Sequence, residues 1–390
     1  MEQPVVDVVG EQVAALGTRL LAESEELAEE MTRRIQAAVP LYATGIVPTE
    51  TLHAASLANV AYIFGNIGRI PAITPLQTRE YGRARARAGM PLAAVMAAYR
   101  VGARHLWQRL ADTAGTVGAS AEVITRAASD MWLILDTYTQ DMAEGYREEA
   151  TAQAVAQQQQ QSALVQAILG EDLTGTSLWE AADILRFPGH GTYLVIAAAV
   201  AEPGRPVLPG IRQRLTTAGL ASAWTVTHDN QTGIVATPAD TLDIEMVIGV
   251  LNHLHVGRVG LSNAYPNLTG SAHALRQARI ALRASTDQRP ITAFNQHPIA
   301  VTAAAAAEVT ADLAATTLAG LDRLTAADRT LLLDTFTAWF HHQGSASEAA
   351  ARLHVHPNTV RYRLRRLEQL LGRSINDPRD IAELSLAINC

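Results

Sequence analysis

The densest concentration of interaction chemistry in this 390-residue sequence lies near its C-terminal end. Between Ser345 and Arg373, Arg352, Arg361, Arg363, Arg365, Arg366 and Arg373 stand against Glu348 and Glu368, a local charge of +4 in a chain of net charge −7. Four of these arginines lie between positions 361 and 366, beside Asn358, Thr359 and Tyr362. A guanidinium pairs with phosphate oxygens and can grip a guanine edge through two hydrogen bonds, and an Asn amide can do the same for adenine. A basic amphipathic helix is also often no more than a solvated face, so the elements that carry these residues decide between the two.

Those elements are legible. Ser345-Ala-Ser-Glu348 has the pattern of a capping box, a Ser accepting from a Glu backbone N–H while the Glu side chain reaches back. It predicts a short helix, Ala346–Leu353, with Ala349, Ala350 and Leu353 inward. His354-Val-His356 leaves room only for a tight turn, and Pro357 suits the first position of a second helix, Asn358–Leu371. Two helices joined this closely make a helix-turn-helix. Where many such motifs place Gly, this one has His354, a residue type enriched at positive φ. At 100° per residue, Val360, Leu364, Leu367 and Leu371 share the buried face. Asn358, Tyr362, Arg365, Arg366 and Gln369 point the other way, with Arg361 and Arg363 on the flanks and Thr359 near the N-terminal edge. Arg361, Arg363, Arg365 and Arg366 are expected at phosphates or guanine; Asn358, Thr359 and Tyr362 at bases or thymine methyls; His356 at the DNA backbone.

Composition bounds the rest. With 48% hydrophobic and 18% charged residues the chain is globular, and its length suits two to four folding units. All 31 basic residues are Arg. The negative net charge confines any nucleic-acid surface to a local patch. The longest apolar stretches, such as Tyr193–Ala201, are half of what a membrane span needs, and Met1-Glu-Gln-Pro does not begin a secretory signal. A single Cys, Cys390, excludes a disulfide framework and a Cys-based zinc finger. A cytoplasmic protein with no membrane partner is expected.

The fold class expected is multidomain and mainly α. Residues 1–150 read as an N-terminal helical bundle for sensing or dimerisation. Val13, Leu16, Leu20, Leu27, Met31 and Ile35 form the stripe of one helix closed by Pro40, and a second helix runs from Thr49 to Asn66. A third carries Leu92, Val95, Tyr99, Leu106 and Leu110; a fourth Ile124, Met131, Leu135, Tyr138 and Met142. Residues 151–170, with Gln157–Gln161, continue the fourth as a connecting helix. Residues 171–300 alternate strand and helix: strand Tyr193–Ala201, helix Ile211–Ala218, a hairpin of Ala223–Thr227 and Gly233–Thr237 turning at His228-Asp-Asn-Gln-Thr232, helix Leu242–Leu254, strand Val256–Ser262 and helix Leu268–Ala284. This order predicts a small α+β sheet with helices on one face. Residues 301–327 read as an Ala-rich connecting helix within Ala303–Leu324, and 328–390 as the C-terminal all-α helix-turn-helix domain, its first helix started by Asp328.

Gly344-Ser345, Ala350-Ala-Arg-Leu353-His-Val-His356-Pro-Asn358-Thr-Val-Arg-Tyr-Arg363-Leu, Leu370-Leu-Gly372, Asp377-Pro378 and Leu384-x-Leu386-Ala387 together resemble the C-terminal helix-turn-helix of the PucR/CdaR family of bacterial transcription regulators. The resemblance covers roughly the last 65 residues and implies sequence-specific binding of double-stranded DNA, usually as dimers, by the Asn358–Arg366 helix in the major groove. Pro357 stands where that family often has a basic residue, which removes one phosphate contact. Residues 162–300, with Ala278-Arg-x-Ala281, resemble the family's middle domain, a degenerate relative of the GGDEF nucleotide-cyclase fold. A working cyclase needs an acidic, Gly-rich turn to hold metal and triphosphate. His228-Asp-Asn-Gln-Thr-Gly233 has one acid and no Gly-Gly pair, so no enzyme activity is expected. Residues 1–150, through Gly89-Met-Pro-Leu, Tyr99-Arg-x-Gly102-Ala-Arg and Trp107, resemble the helical N-terminal domain of RsbR-type stress regulators, a signal-receiving or dimerising module.

Rival chemistries are weaker. His253-x-His255, His341-His342 and His354-x-His356 supply no set of three or four metal ligands, His105 is a lone helical His, and Gly189-His-Gly191 is a turn before a strand. No Walker A, G-x-S-x-G or G-x-G-x-x-G is present. The expectation is therefore a DNA-binding regulator without catalytic residues, metal or cofactor, assembled as a homodimer or higher homo-oligomer, with room for a small-molecule effector. The alternatives are a stress-signalling interaction protein that does not bind DNA and a nucleotide-sensing or cyclase-like protein.

Overall fold

The apolar stripe that begins at Val13 is cut in two. In the computed structural model, which describes residues 7–69, 78–203, 205–254 and 257–389, α1 (Val8–Leu21) and α2 (Ser24–Ala38) meet at a turn over Ala22 and Glu23 instead of forming one helix. Val13, Leu16, Leu20, Leu27, Met31 and Ile35 are all buried. The chain divides into two compact units, Met1–Gln157 and Gln158–Cys390.

In the first unit α3 (Thr49–Asn66), α4 (Thr78–Arg87), α5 (Leu92–Thr116) and the first part of α6 (Ala121–Leu169) complete a bundle around Val60, Phe64, Leu106, Leu110, Met131 and Met142. Pro91 is the cap before α5, one residue ahead of the helical position expected for it. Helix α4 has no apolar stripe to announce it. It is held instead by its arginines: Arg79 pairs with Asp141, Glu144 and Glu148, Arg83 with Glu148 at 2.9 Å, and Arg87 with Glu149 at 3.1 Å, all four acids on α6. The two backbones also touch. A Cβ at Gly82 would collide with the Met142 carbonyl, and one at Gly145 with the Arg79 carbonyl, so glycine is required at both crossings.

Helix α6 runs unbroken through Gln157–Gln161. Its last turns belong to the second unit, where Ser162 Oγ and the Gln166 amide meet Thr225 Oγ1 at 2.7 and 2.8 Å. There α7 (Thr176–Ile184), β1 (Thr192–Ala199), α8 (Ile211–Thr217), β2 (Ala221–Val226), β3 (Asn230–Thr237), α9 (Ile244–Asn252), β4 (Val259–Leu261), α10 (Ser271–Arg283) and β5 (Ile291–Ala293) build a five-stranded sheet in the order β2-β3-β1-β4-β5. Every pairing is antiparallel except β4 with β5. Strand β1 is central and buried from Tyr193 to Ala198. Tyr193, Val195 and Ala197 pack with Leu178, Leu275 and Ala278 of α7 and α10, while Leu194, Ile196 and Ala198 pack with Ile211, Leu215, Val247 and Leu251 of α8 and α9. Helices thus cover both faces, not the one expected. The continuous apolar run of β1 is what a strand buried on both sides requires.

The hairpin is tighter than expected. Thr227 N–H donates to the Asn230 carbonyl at 2.8 Å, leaving His228 and Asp229 as the two central residues, and Gln231 and Thr232 pair in the ladder with Val226 and Thr225. Of the expected strand Val256–Ser262, Val256 lies outside the described residues, as do His255 of the His253-x-His255 pair, Met1–Pro4 and Cys390.

The Ala-rich stretch is not one helix. α11 (Pro298–Ala305) and α12 (Ala307–Thr317) are bent by 105° about Ala306. α13 (Ala326–His341) starts earlier than expected, capped by Thr325 Oγ1, which accepts from Asp328 N–H at 3.2 Å. α14 (Ala346–Leu353), α15 (Pro357–Leu371) and α16 (Pro378–Ile388) complete the chain, and α16 packs on both α11 and α12. Among the described residues no single helix is long and apolar enough to cross a membrane.

Candidate nucleic-acid interface

α14 and α15 are positioned by a shared core. Leu332 and Phe336 of α13, Ala349 and Ala350 of α14, Val360, Leu364 and Leu367 of α15, and Leu384 and Ala387 of α16 form one buried cluster, which also takes in Leu318 and Leu321. Leu353 and Leu371 are only half-buried at its edge. Burying the Leu side chains of one α15 stripe contributes roughly 2 kcal/mol each, enough to fix which way the opposite stripe faces.

Half of the capping box forms. Ser345 Oγ accepts from Glu348 N–H at 3.3 Å, but Ser345 N–H donates to the His342 carbonyl, and the Glu348 carboxylate lies 3.6 Å from His342 Nδ1 instead of returning to the cap. His354 takes the left-handed conformation, φ 56° and ψ 43°, closing α14, and Val355 N–H donates back to the Ala350 carbonyl at 3.0 Å. His356 caps α15: its Nδ1 accepts from Asn358 N–H at 3.1 Å, and Pro357 follows at the first helical position. That bond commits Nδ1 of His356 to the protein, with the ring exposed. Gly372, at φ 65°, ends α15 by donating its N–H to the Glu368 carbonyl.

The outward face is not uniform. Asn358, Arg361, Tyr362, Arg365 and Gln369 are exposed, with Tyr362 at 64% one of the most exposed large side chains. Arg361 donates to Asn358 Oδ1 at 2.9 Å, which leaves the Asn358 NH₂ outward and ties two residues expected at different contacts into one unit. Thr359 and Arg366 are half-buried. Arg363 leans inward toward the buried Thr335 hydroxyl of α13 at 3.5 Å. Arg373 is taken up within the domain, pairing with Asp380 at 3.1 Å and with Glu383. Among the described residues Arg352, Arg361, Arg363, Arg365 and Arg366 enter no ion pair, and with Arg363 turned toward Thr335 the outward positive charge sits on the other four. Arg352, exposed in the last turn of α14, belongs with them and was not among the residues singled out for contact. Glu348 stands four residues before it, but its carboxylate turns to His342 and leaves Arg352 without an ion pair.

Three stretches of the chain match known families: residues 332–390 the PucR C-terminal helix-turn-helix domain, residues 169–284 a GGDEF-like domain, and residues 25–161 the N-terminal domain of the RsbT co-antagonist protein rsbRD. The chain ends in a PucR-type helix-turn-helix domain. Similar proteins include the purine catabolism regulatory protein of Bacillus subtilis, 46% identical over 57 residues, which are 15% of this chain and 11% of that one. This chain therefore matches only a small part of that relative. An uncharacterized protein from the pkwA 5' region of Thermomonospora curvata is 31% identical over 41% of this chain and 89% of its own length. A solved structure of a regulator of polyketide synthase expression from Bifidobacterium adolescentis aligns at 21% identity over 59% of this chain and 96% of that one, with a TM-score of 0.31, too low to equate the folds. This chain thus joins an rsbRD-type N-terminal domain, a GGDEF-like domain and a PucR-type helix-turn-helix. In its GGDEF-like domain the β2–β3 turn carries a single acid, Asp229, whose side chain is 78% exposed next to His228.

Proposed function

We propose that this chain is a transcriptional regulator of the PucR family, a sequence-specific DNA-binding protein that reads an operator with α15. The supporting observation is the outward stripe of that helix, where Arg361, Tyr362 and Arg365 lie open opposite the buried Val360, Leu364 and Leu367. Arg361, Arg365 and Arg366 neutralise phosphates or bind guanine, Asn358, Thr359 and Tyr362 contact base edges or thymine methyls, and the exposed ring of His356 lies against the backbone. Arg363, bonded to Thr335, contributes to DNA only if it leaves that partner. The active form is a homodimer in the cytoplasm whose two α15 helices are about 34 Å apart, one DNA turn. A signal received in the N-terminal or GGDEF-like domain sets its activity, and neither domain performs catalysis.

A mobility shift of the purified chain against fragments of its own genome tests the reading. Retarded fragments that share a two-fold symmetric sequence are expected. Asn358→Ala should broaden the sequences recovered from a random-duplex pool. A folded protein that retards no fragment at low salt refutes DNA reading and leaves the interaction-protein alternative standing.

A further inference from the structure

The first unit holds a half-open cavity of about 40 Å³ whose lining includes Tyr42, Asn59, Ile63, Arg85, Tyr99 and Leu106. Arg85 is the anomaly in it. Arg79, Arg83 and Arg87 on the same helix turn outward to the carboxylates of α6, whereas Arg85 turns inward and is only 7% exposed. Among the described residues no Asp or Glu pairs with it, and its Cζ lies 5.9 Å from the centroid of the Tyr42 ring. The segment 70–77, just ahead of α4, contains no acidic residue. A guanidinium taken out of water loses far more hydration energy than one aromatic face returns, so a buried cation without a counter-charge asks for an anion.

The other polar groups agree. Asn59 Oδ1 is buried without a hydrogen-bond partner, and its amide, turned by half a rotation, offers an N–H donor. Burial, followed by the neighbouring Tyr138 hydroxyl, pushes the Tyr99 hydroxyl well above the ordinary tyrosine range, so it stays neutral and adds no negative charge to the lining. The lining contains no carboxylate, and Ile63 and Leu106 supply an apolar wall. Space for roughly three water molecules bounds the ligand to a few heavy atoms.

We propose that this cavity binds a short-chain carboxylate, its charged end held by Arg85 and its alkyl end against the apolar wall. The proposal deepens the signal-receiving role given to this domain and rests on it only for consequences at DNA, since occupancy is measured without DNA. Thermal denaturation of the full chain in sodium propionate, at ionic strength matched with sodium chloride, is compared with the same concentration of neutral propionamide. The expected result is a higher Tm with propionate and none with propionamide. Arg85→Met should lose that rise while its Tm without ligand is not lowered, because an apolar replacement removes an unpaired buried cation. Ala55→Leu, which keeps Arg85 and fills the cavity, should lose the rise as well and serves if the Met variant fails to fold. Equal shifts with propionate and propionamide, no shift with either, or a full propionate shift retained in either variant overturns the proposal. A mobility shift of the same samples reports DNA binding independently, so failure of the cavity and failure of operator reading are told apart.

Discussion

Replacing Arg365 and Arg366 together with Ala separates arginines that face solvent from arginines that hold the domain. Neither has an ion-pair partner among the described residues, so their loss should leave the unfolding midpoint within a degree or two of the parent. On DNA each phosphate ligand contributes a slope of about 0.9 to log K against log salt, so the double variant should be flatter by about 1.8 per recognition helix. Across a fourfold rise in salt, from about 50 to 200 mM, the parent should therefore lose about 12-fold more affinity per half-site than the variant. Fluorescence anisotropy on one operator duplex at five salt concentrations gives both slopes. Arg363→Ala and Arg373→Ala are the internal controls. One removes a donor to the buried Thr335 hydroxyl and the other a cation paired with Asp380 and Glu383, so both should lower stability by roughly 0.5–2 kcal/mol and change the slope little. If the double variant keeps the parental slope while Arg363→Ala or Arg373→Ala flattens it, the division of arginines drawn from the geometry is wrong.

Three further outcomes follow from the packing. Leu364→Ala empties a site 3% exposed at the centre of the C-terminal core and should cost about 2–5 kcal/mol, seen as a lower urea midpoint and lost protection of α14 and α15 amides in hydrogen exchange. Gly82→Val places a branched side chain against the Met142 carbonyl and should part α4 from α6, read as a drop in Tm that Ala at the exposed Gly115 does not produce. His105 is 3% exposed with Nε2 unpartnered, and burial, followed by the positive charge of Arg34, holds its imidazole below the ordinary histidine range. The unfolded chain then takes up the proton first, so the stability tied to neutral His105 is present above about pH 6.5 and is lost as pH falls below it. His105→Met should flatten that part of the stability–pH curve, and an unchanged curve would discount the effect.

How legible each part was depended on whether its determinants are local. The α14–α15 pair could be read residue by residue because cap, turn, proline and leucine stripe all lie within thirty positions. Even the left-handed His354 follows from residue type. Helix α4 was missed because what holds it lies more than sixty residues away, on the acids of α6, and its own sequence has arginine where an apolar stripe would be. The break between α1 and α2 carries neither Gly nor Pro, and both halves keep buried leucines, so periodicity alone runs straight through it. Helices on both faces of the sheet were implicit in Tyr193–Ala198, apolar at every position, but only the sheet order places α8 and α9 opposite α7 and α10. At the interface itself, the projection placed Arg363 on a flank without knowing that Thr335 waits there.

The seating of the final helix against α11 and α12 bears on how this protein can be dissected. Leu318 and Leu321 share the hydrophobic cluster that holds Val360 and Leu364, and α16 leans on the bent pair that precedes them. A fragment cut at residue 328, the natural choice for isolating a reading head, would strip that scaffold and leave one side of α16 facing water. A piece that keeps α16 covered has to include α11 and α12, and since Ala300 and Val301 of α11 pack in turn on Ile280 and Ala284, screens using clones cut at 328 would be testing an amputated module.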